Sequence, residues 1–334
     1  MSDPGIRTRL RTGTLLTRLG YGAAQLGNLN QAISDEVATD AVDAAWNAGI
    51  RYFDTAPHYG LGLSERRLGA ALAARPRQDY VLSTKVGRDL VPTPERAHLR
   101  DEHGFDVPAT HTRGWDFSAD GVRRSLAGSL ERLGVDRVDI VYLHDPDDHW
   151  RDASTTAIEA LLELREEGVI SAVGVGMNQA RMLARFIRET DVDLVMCAGR
   201  LTLLDPEART ELLPAAEERG VAVVAAGVYN SGLLSRPRPP ADARYDYQQA
   251  PQDLRRRAEQ IAEIAEQYAL TLPDLAVQYP LQFAPVASVV LGMRTGAHVA
   301  TNVDRIRSQV PETLWAELDR RGLVRLPVTQ ARTR

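Results

Sequence analysis

Short apolar runs alternate with amphipathic stretches along almost the whole chain. The opening segment, Arg7 to Gly22, is mostly polar, carries Thr12-Gly13-Thr14 at its centre, and predicts a β-hairpin leading into a strand over Leu19–Gly22. Val37, Ala41, Ala44, Ala45 and Ala48 then fall on one helical face, behind Ser34 as an N-cap, and predict a helix over 35–48. The same reading places strands at 52–54, 80–85, 138–143, 170–175, 194–197, 221–225 and 288–291. It places helices at 64–74, 118–133, 155–167, 180–189, 206–218, 254–268 and 273–281, with Gly134, Gly168 and Gly220 as stops. Strands that are mostly followed by helices imply a parallel sheet with crossovers. Eight such units imply closure into an α/β (β/α)8 TIM barrel.

No linker or second composition regime interrupts this rhythm, so residues 1–334 read as a single barrel domain. Two long irregular stretches break it, 89–115 after the third strand and 235–252 after the seventh, each with several prolines. They are expected to be long loops without regular structure. In a barrel both lie on the C-terminal face, where active sites are built.

Composition narrows the function. The 334 residues carry 40 Lys and Arg against 45 Asp and Glu, a net charge of −5, which argues against nucleic acid or an anionic membrane as partner. A single cysteine, Cys197, excludes an intrachain disulfide and a cysteine zinc site, and fits a reducing cytoplasm. The first residues lack the apolar stretch of a secretion signal, and the longest apolar runs, such as Val221–Val228, are too short to span a bilayer. The expected partner is a small molecule, and the chain reads as a monomer or homodimer.

Arginine supplies nearly all the positive charge; Lys85 is the only lysine. It ends the third predicted strand. Asp54 ends the second, Tyr59 follows five residues later, and His144 ends the fourth. Strands that enter a barrel core must hide a charge at their tips or use it. A buried ammonium beside a carboxylate stays charged, and it draws a neighbouring phenol's pKa downward from about 10. Such a group exchanges a proton with a substrate oxygen, with a neutral imidazole orienting that oxygen, and needs no metal. That suits carbonyl reduction or alcohol oxidation with a hydride cofactor. A metal-dependent hydrolase using His144 and the carboxylates that follow it is the competing reading, but no His-x-His follows the first strand. His98, His103 and His111 read as solvated loop histidines. Trp115 is a candidate substrate contact, although packing of loop on barrel is the commoner role for such a residue. Gly-x-Gly pieces occur, yet none completes the Rossmann Gly-x-Gly-x-x-Gly.

The run Phe53-Asp54-Thr55-Ala56-Pro57-His58-Tyr59-Gly60, followed by Ser64-Glu65 and Leu68-Gly69, resembles the signature of the aldo-keto reductase superfamily. Thr84-Lys85, Leu143-His144 and Gly174-Val175-Gly176-Met177-Asn178 match further family motifs in order. His144-Asp145-Pro146-Asp147, Ala198-Gly199-Arg200 and Tyr229-Asn230-Ser231-Gly232 resemble the subgroup of L-fucose or D-threo-aldose 1-dehydrogenases, with pyridoxal 4-dehydrogenases similar too. The resemblance implies an NAD(P)-dependent oxidoreductase acting on a sugar C1 hydroxyl or a small aldehyde or ketone. It implies Tyr59 as general acid/base, Lys85 as its activator, Asp54 as the partner of Lys85, and His144 as the group orienting substrate. It implies cofactor contacts at Gly22, Ala23, Asn178, the run Gly227, Val228, Tyr229, Asn230, Ser231 and Gly232, and at Gly292, Arg294, His298 and Asn302.

The chain departs from the family at four places. Leu201 stands where many members stack a tyrosine on nicotinamide, Met177 replaces a serine, Ala198 replaces a glutamine, and Gly296-Ala297-His298 replaces the commoner Pro-Glu-(Gln/Arg). The cofactor is NADP or NAD, with Arg294 tilting the expectation toward NADP because a guanidinium fork suits a 2′-phosphate. A regulatory barrel that holds cofactor with little turnover is the alternative.

Overall fold

The computed structural model describes residues 4–246 and 248–327. Its centre is a closed barrel of eight parallel strands: β1 (Leu19–Gly22), β2 (Tyr52–Asp54), β3 (Val81–Val86), β4 (Ile140–His144), β5 (Ala172–Met177), β6 (Leu194–Ala198), β7 (Ala222–Ala226) and β8 (Val286–Gly292). Neighbours in sequence are neighbours in the barrel, and β8 closes on β1.

Strand parity sets the interior. Along β2 to β4, Tyr52, Ile140 and Tyr142 pack with Ala172, Leu194, Met196 and Val224 inside the barrel. Phe53, Leu82, Val141 and Leu143 pack outward under the helices. Side chains alternate faces along a strand, so Asp54, Lys85 and His144 share the inward parity of Tyr52, Ser83 and Tyr142. They are the last inward positions of β2 and β4 and the last but one residue of β3. The expected hairpin is present as Arg7–Arg9 paired with Leu15–Thr17, and its Leu10 and Leu16 join the interior cluster at the end of the barrel away from those tips.

The helices form where the apolar period placed them. Ser34 and Ser118 accept from the third backbone N–H of Asp35–Asn47 and Ala119–Leu133, as helix caps do, and Gly134 ends the latter at φ +66°. Several elements differ from the sequence reading, among them the stretch 235–252, where Arg244–Tyr245 pairs antiparallel with Gln248–Gln249. The helix expected over 206–218 is a 3-10 turn, Glu207–Arg209, followed by Leu212–Arg219. Pro214, which lacks an N–H, is tolerated only in a first turn and so sets that start. The stretch 89–115 is not structureless: Arg88–Pro92 pairs antiparallel with His111–Trp115, and Leu61, Phe105 and Val107 form a small apolar cluster beside it. Two C-terminal helices, Gly296–Arg307 and Glu312–Arg320, lie beyond the elements that the hydrophobic pattern predicts. Among the described residues, no helix is long and apolar enough to cross a membrane.

Candidate active site

The tips of β2 and β3 meet in a buried ion pair. Lys85 Nζ donates to Asp54 Oδ2 at 2.7 Å and to the Thr55 carbonyl at 2.8 Å, while Ser83 Oγ donates to Asp54 Oδ1 at 2.8 Å. Lys85 is only 2 % exposed. Such a pair is costly unless further hydrogen bonds support it, and here the Thr55 carbonyl and the Ser83 hydroxyl do so. Lys85 Nζ also lies 4.8 Å from the centroid of the Tyr59 ring. Burial works to lower the Lys85 pKa, but Asp54 and Tyr59 outweigh it and the ammonium is held above its ordinary value. For Tyr59, burial raises the pKa and Lys85 offsets part of that rise. The net direction is therefore upward, opposite to the sequence expectation, because complete desolvation of a phenolate outweighs one neighbouring cation.

The turn carrying Tyr59 is fixed from both sides. Gly60 has φ +62° and sits directly against Gly27, and a Cβ on Gly27 would lie 2.6 Å from the Tyr59 carbonyl carbon. Gly62 precedes the helix Leu63–Leu72, whose Ser64 Oγ donates to the Ala23 carbonyl at 2.7 Å and bonds Thr55 Oγ1 at 2.8 Å. Buried Glu65 accepts from Thr84 Oγ1 at 2.7 Å and from Arg132 Nε at 2.6 Å, tying the strand of Lys85 to two helices.

His144 lies against Tyr59, ring centroids 5.9 Å apart and nearly perpendicular. Burial first, then the charges of Arg88 and Lys85, push its pKa well below the ordinary value, so it is a neutral imidazole. Its Nε2 faces Asp145 Oδ2 at 3.8 Å, and its Nδ1 is buried without a partner among the described residues. Asp145 has a left-handed backbone, φ +44°, and pairs with Arg88. Three residues that the sequence reading gave no role also enter the site. His58 contacts both Tyr59 and His144; Arg88 and Arg113 reach in from the hairpin after β3.

The expected cofactor residues line the rim around these tips. Gly22 is paired in register with Asp54 on one side and Gly292 on the other, and Ala23 follows it. Asn178 lies exposed just past β5, its carbonyl accepting from Arg200 Nε at 2.9 Å. Gly227 (φ +63°), Val228 and Tyr229 lead into a turn where Asn230 and Ser231 are both left-handed and Gly232 has φ +97°. Tyr229 Oη donates to Asn302 Oδ1 at 2.7 Å, joining that turn to helix Gly296–Arg307. Arg294 Nη2 donates to the Leu29 carbonyl at 2.8 Å, and His298 Nδ1 accepts from the Arg294 backbone. Gln25 Oε1, Asn230 Oδ1 and Arg294 Nε are buried without partners among the described residues. Orphaned polar atoms on several rim loops, beside glycines that leave the backbone bare, fit a polar dinucleotide. Leu201 is 1 % exposed and packs into the apolar core, so no ring is offered at that position.

Trp115 is 47 % exposed, stacked on Phe117 and covered by the Arg88 guanidinium at 4.5 Å. It lines an open cavity of about 350 Å³ with Arg88, Asp145, Asp147, His149 and Asn178. It thus both packs the loop and borders the mouth. Among the histidines expected in solvent, His103 is exposed but its ring rests 5.6 Å from that of His58.

The aldo/keto reductase family model matches residues 18–321. The chain is an aldo-keto reductase. It is 49 % identical to a D-threo-aldose 1-dehydrogenase of a Pseudomonas species over 94 % of this chain and 97 % of the relative. It is 36 % identical to a pyridoxal 4-dehydrogenase of Microbacterium luteolum over 94 % and 96 %. Among solved structures, a holo-form aldo-keto reductase from Bacillus halodurans superposes with a TM-score of 0.72 at 27 % identity, covering 98 % of this chain and 99 % of that one. A glycerol dehydrogenase from Gluconobacter oxydans shares the fold, with a TM-score of 0.77 at 23 % identity and full coverage of both chains. The expected superfamily, subgroup likeness and (β/α)8 barrel are thus those of this aldo-keto reductase.

Proposed function

We propose that this aldo-keto reductase is an NAD(P)-dependent aldose 1-dehydrogenase, oxidising the C1 hydroxyl of a sugar to a lactone, and that the same site reduces small aldehydes or ketones by hydride transfer in the opposite direction. The observation that carries the reading is the convergence of Asp54, Lys85, Tyr59 and His144 at the tips of three adjacent strands. Tyr59 Oη takes the C1 hydroxyl proton during oxidation and returns it during reduction. Lys85 stabilises the phenolate that accepts this proton in oxidation and that is left behind in reduction, Asp54 keeps Lys85 charged and oriented, and neutral His144 holds the reacting oxygen. Bound nicotinamide dinucleotide supplies the hydride acceptor or donor.

Asn178 and the turn 227–232 hold the nicotinamide and pyrophosphate parts, and Arg294, His298 and Asn302 the adenosine end. Among the described residues Arg294 bonds neutral acceptors, Leu29 O at 2.8 Å and Gln31 Oε1 at 3.3 Å, and the first turn of Gly296–Arg307 has no acidic residue. An uncompensated guanidinium there favours NADP over NAD. The relative named for D-threo-aldoses supports the choice of substrate class.

The test follows absorbance of the reduced cofactor with NADP and with NAD against L-fucose, D-arabinose, L-galactose, pyridoxal and simple aldehydes. The reading expects steady turnover of at least one aldose, with a lower KM for NADP than for NAD. Turnover of none of these substrates with either cofactor contradicts it.

A further inference from the structure

His58 occupies a place the four catalytic candidates do not explain. It precedes Tyr59 in the turn after β2, and its ring lies 5.9 Å from that of Tyr59 and 5.5 Å from that of His144. A group on a bound molecule that touches both of those rings also lies beside His58.

Its hydrogen-bonding state is fixed from elsewhere in the chain. Arg113 Nε donates to His58 Nδ1 at 2.6 Å, and Arg113 Nη2 donates to the His58 carbonyl at 2.9 Å. A guanidinium has donors only, so Nδ1 must act as acceptor and the ring proton must sit on Nε2. Arg113 is itself pinned by Asp101, Nη2 to Oδ2 at 3.1 Å, with side chains only 7 % and 4 % exposed. Phe105 and His103 pack on His58 at 5.3 and 5.6 Å. The Nε2–H finds no acceptor among the described residues. Burial, then the nearby charges of Arg113 and Arg88, push the ring's pKa down to about 2, so it stays a single-proton donor.

We propose that His58 is a substrate-binding residue whose Nε2–H donates to the C2 hydroxyl of an aldose, and that Arg113 is the positioning residue that aims it. The assignment rests on the dehydrogenase reading above and deepens it. With the C1 oxygen shared between Tyr59 and His144, a donor flanking both rings faces an oxygen one carbon away. The other oxygen nearby, the ring oxygen on C1 itself, is a poorer acceptor than the hydroxyl on C2. A site that holds such a hydroxyl rejects the analogue lacking it, because its own donor is left unpaired.

The test measures kcat/KM for D-arabinose and for 2-deoxy-D-ribose, which is D-arabinose without its C2 hydroxyl, in wild type, His58→Phe and His58→Gln. Wild type is expected to prefer D-arabinose by roughly ten- to hundredfold. His58→Phe should collapse that ratio to within about threefold, chiefly by losing D-arabinose activity. His58→Gln can accept from Arg113 through Oε1 and donate through Nε2, so it should restore part of the preference. A wild type indifferent to the C2 hydroxyl, or a Phe variant that keeps the full ratio, overturns the assignment of His58 while leaving the dehydrogenase reading intact. A wild type that oxidises no aldose at all overturns both.

Discussion

His58 and His144 are neutral imidazoles inside a site crowded by Arg88, Arg113 and Lys85, and that has a measurable consequence. Burial is the first cause in both, with the nearby cations second; His58 is pushed down to about 2 and His144 well below its ordinary 6.5. Unfolding releases both rings to titrate normally. Below pH 6.5 the unfolded chain therefore binds more protons than the folded one, and stability is lost as pH falls. Each ring contributes a slope of up to about 1.4 kcal/mol per pH unit. Urea unfolding between pH 7 and pH 5 should show this loss, and His58→Phe should show a shallower slope than wild type. Parallel curves for the two proteins would count against the buried-neutral assignment. At this scale the sequence was partly legible. Lys85 and His144 stand out because a charged or titratable residue ends an otherwise apolar strand. Tyr59 and Asp54 follow from their order with them. The role of His58 was not legible, because the residue that fixes it, Arg113, lies 55 positions away and arrives only through the hairpin.

Elements place these residues through close backbone contact as well as hydrogen bonds. The segment Ala23–Gly27 after β1 lies against the turn 59–60, and only glycine fits at either side of that contact. Gly60→Ala adds a Cβ at a left-handed φ of +62° and drives it into Gly27. The expected cost is about 2 kcal/mol or more, together with at least roughly a tenfold loss of kcat/KM, since the phenol moves with its turn. Urea unfolding and steady-state turnover read the two effects; a variant with wild-type stability and turnover would mean that this contact does not hold Tyr59. The strand–helix alternation was legible because each element carries its own period of 2 or 3.6. The hairpin over 88–115 was not, because long-range contacts hold it: Arg113 with Asp101 and His58, and Arg88 with Asp145 and Trp115. Its residues alone read as a proline-bearing loop. The break before Leu212–Arg219 was visible in principle, since Pro214 can occupy only the start of a helix.

Over the whole molecule, one architectural rule accounts for the site. A closed parallel barrel fills its interior with side chains of one parity and opens its strand tips at the C-terminal mouth. The apolar residues of that parity, with Leu10 and Leu16 of the N-terminal hairpin below, make a dry floor. On that floor a buried Lys85–Asp54 pair keeps its charge, and the phenol above feels it. The net charge of −5 plays no part in this chemistry, which depends on the local cations Lys85, Arg88 and Arg113. The most direct test of the account is turnover of Tyr59→Phe with L-fucose or D-arabinose and NADP, alongside NADP binding measured by fluorescence titration. The expected result is a loss of kcat of roughly a hundredfold to ten-thousandfold with cofactor affinity unchanged. A phenylalanine variant that turns over at the wild-type rate would contradict the proton transfer assigned to Tyr59.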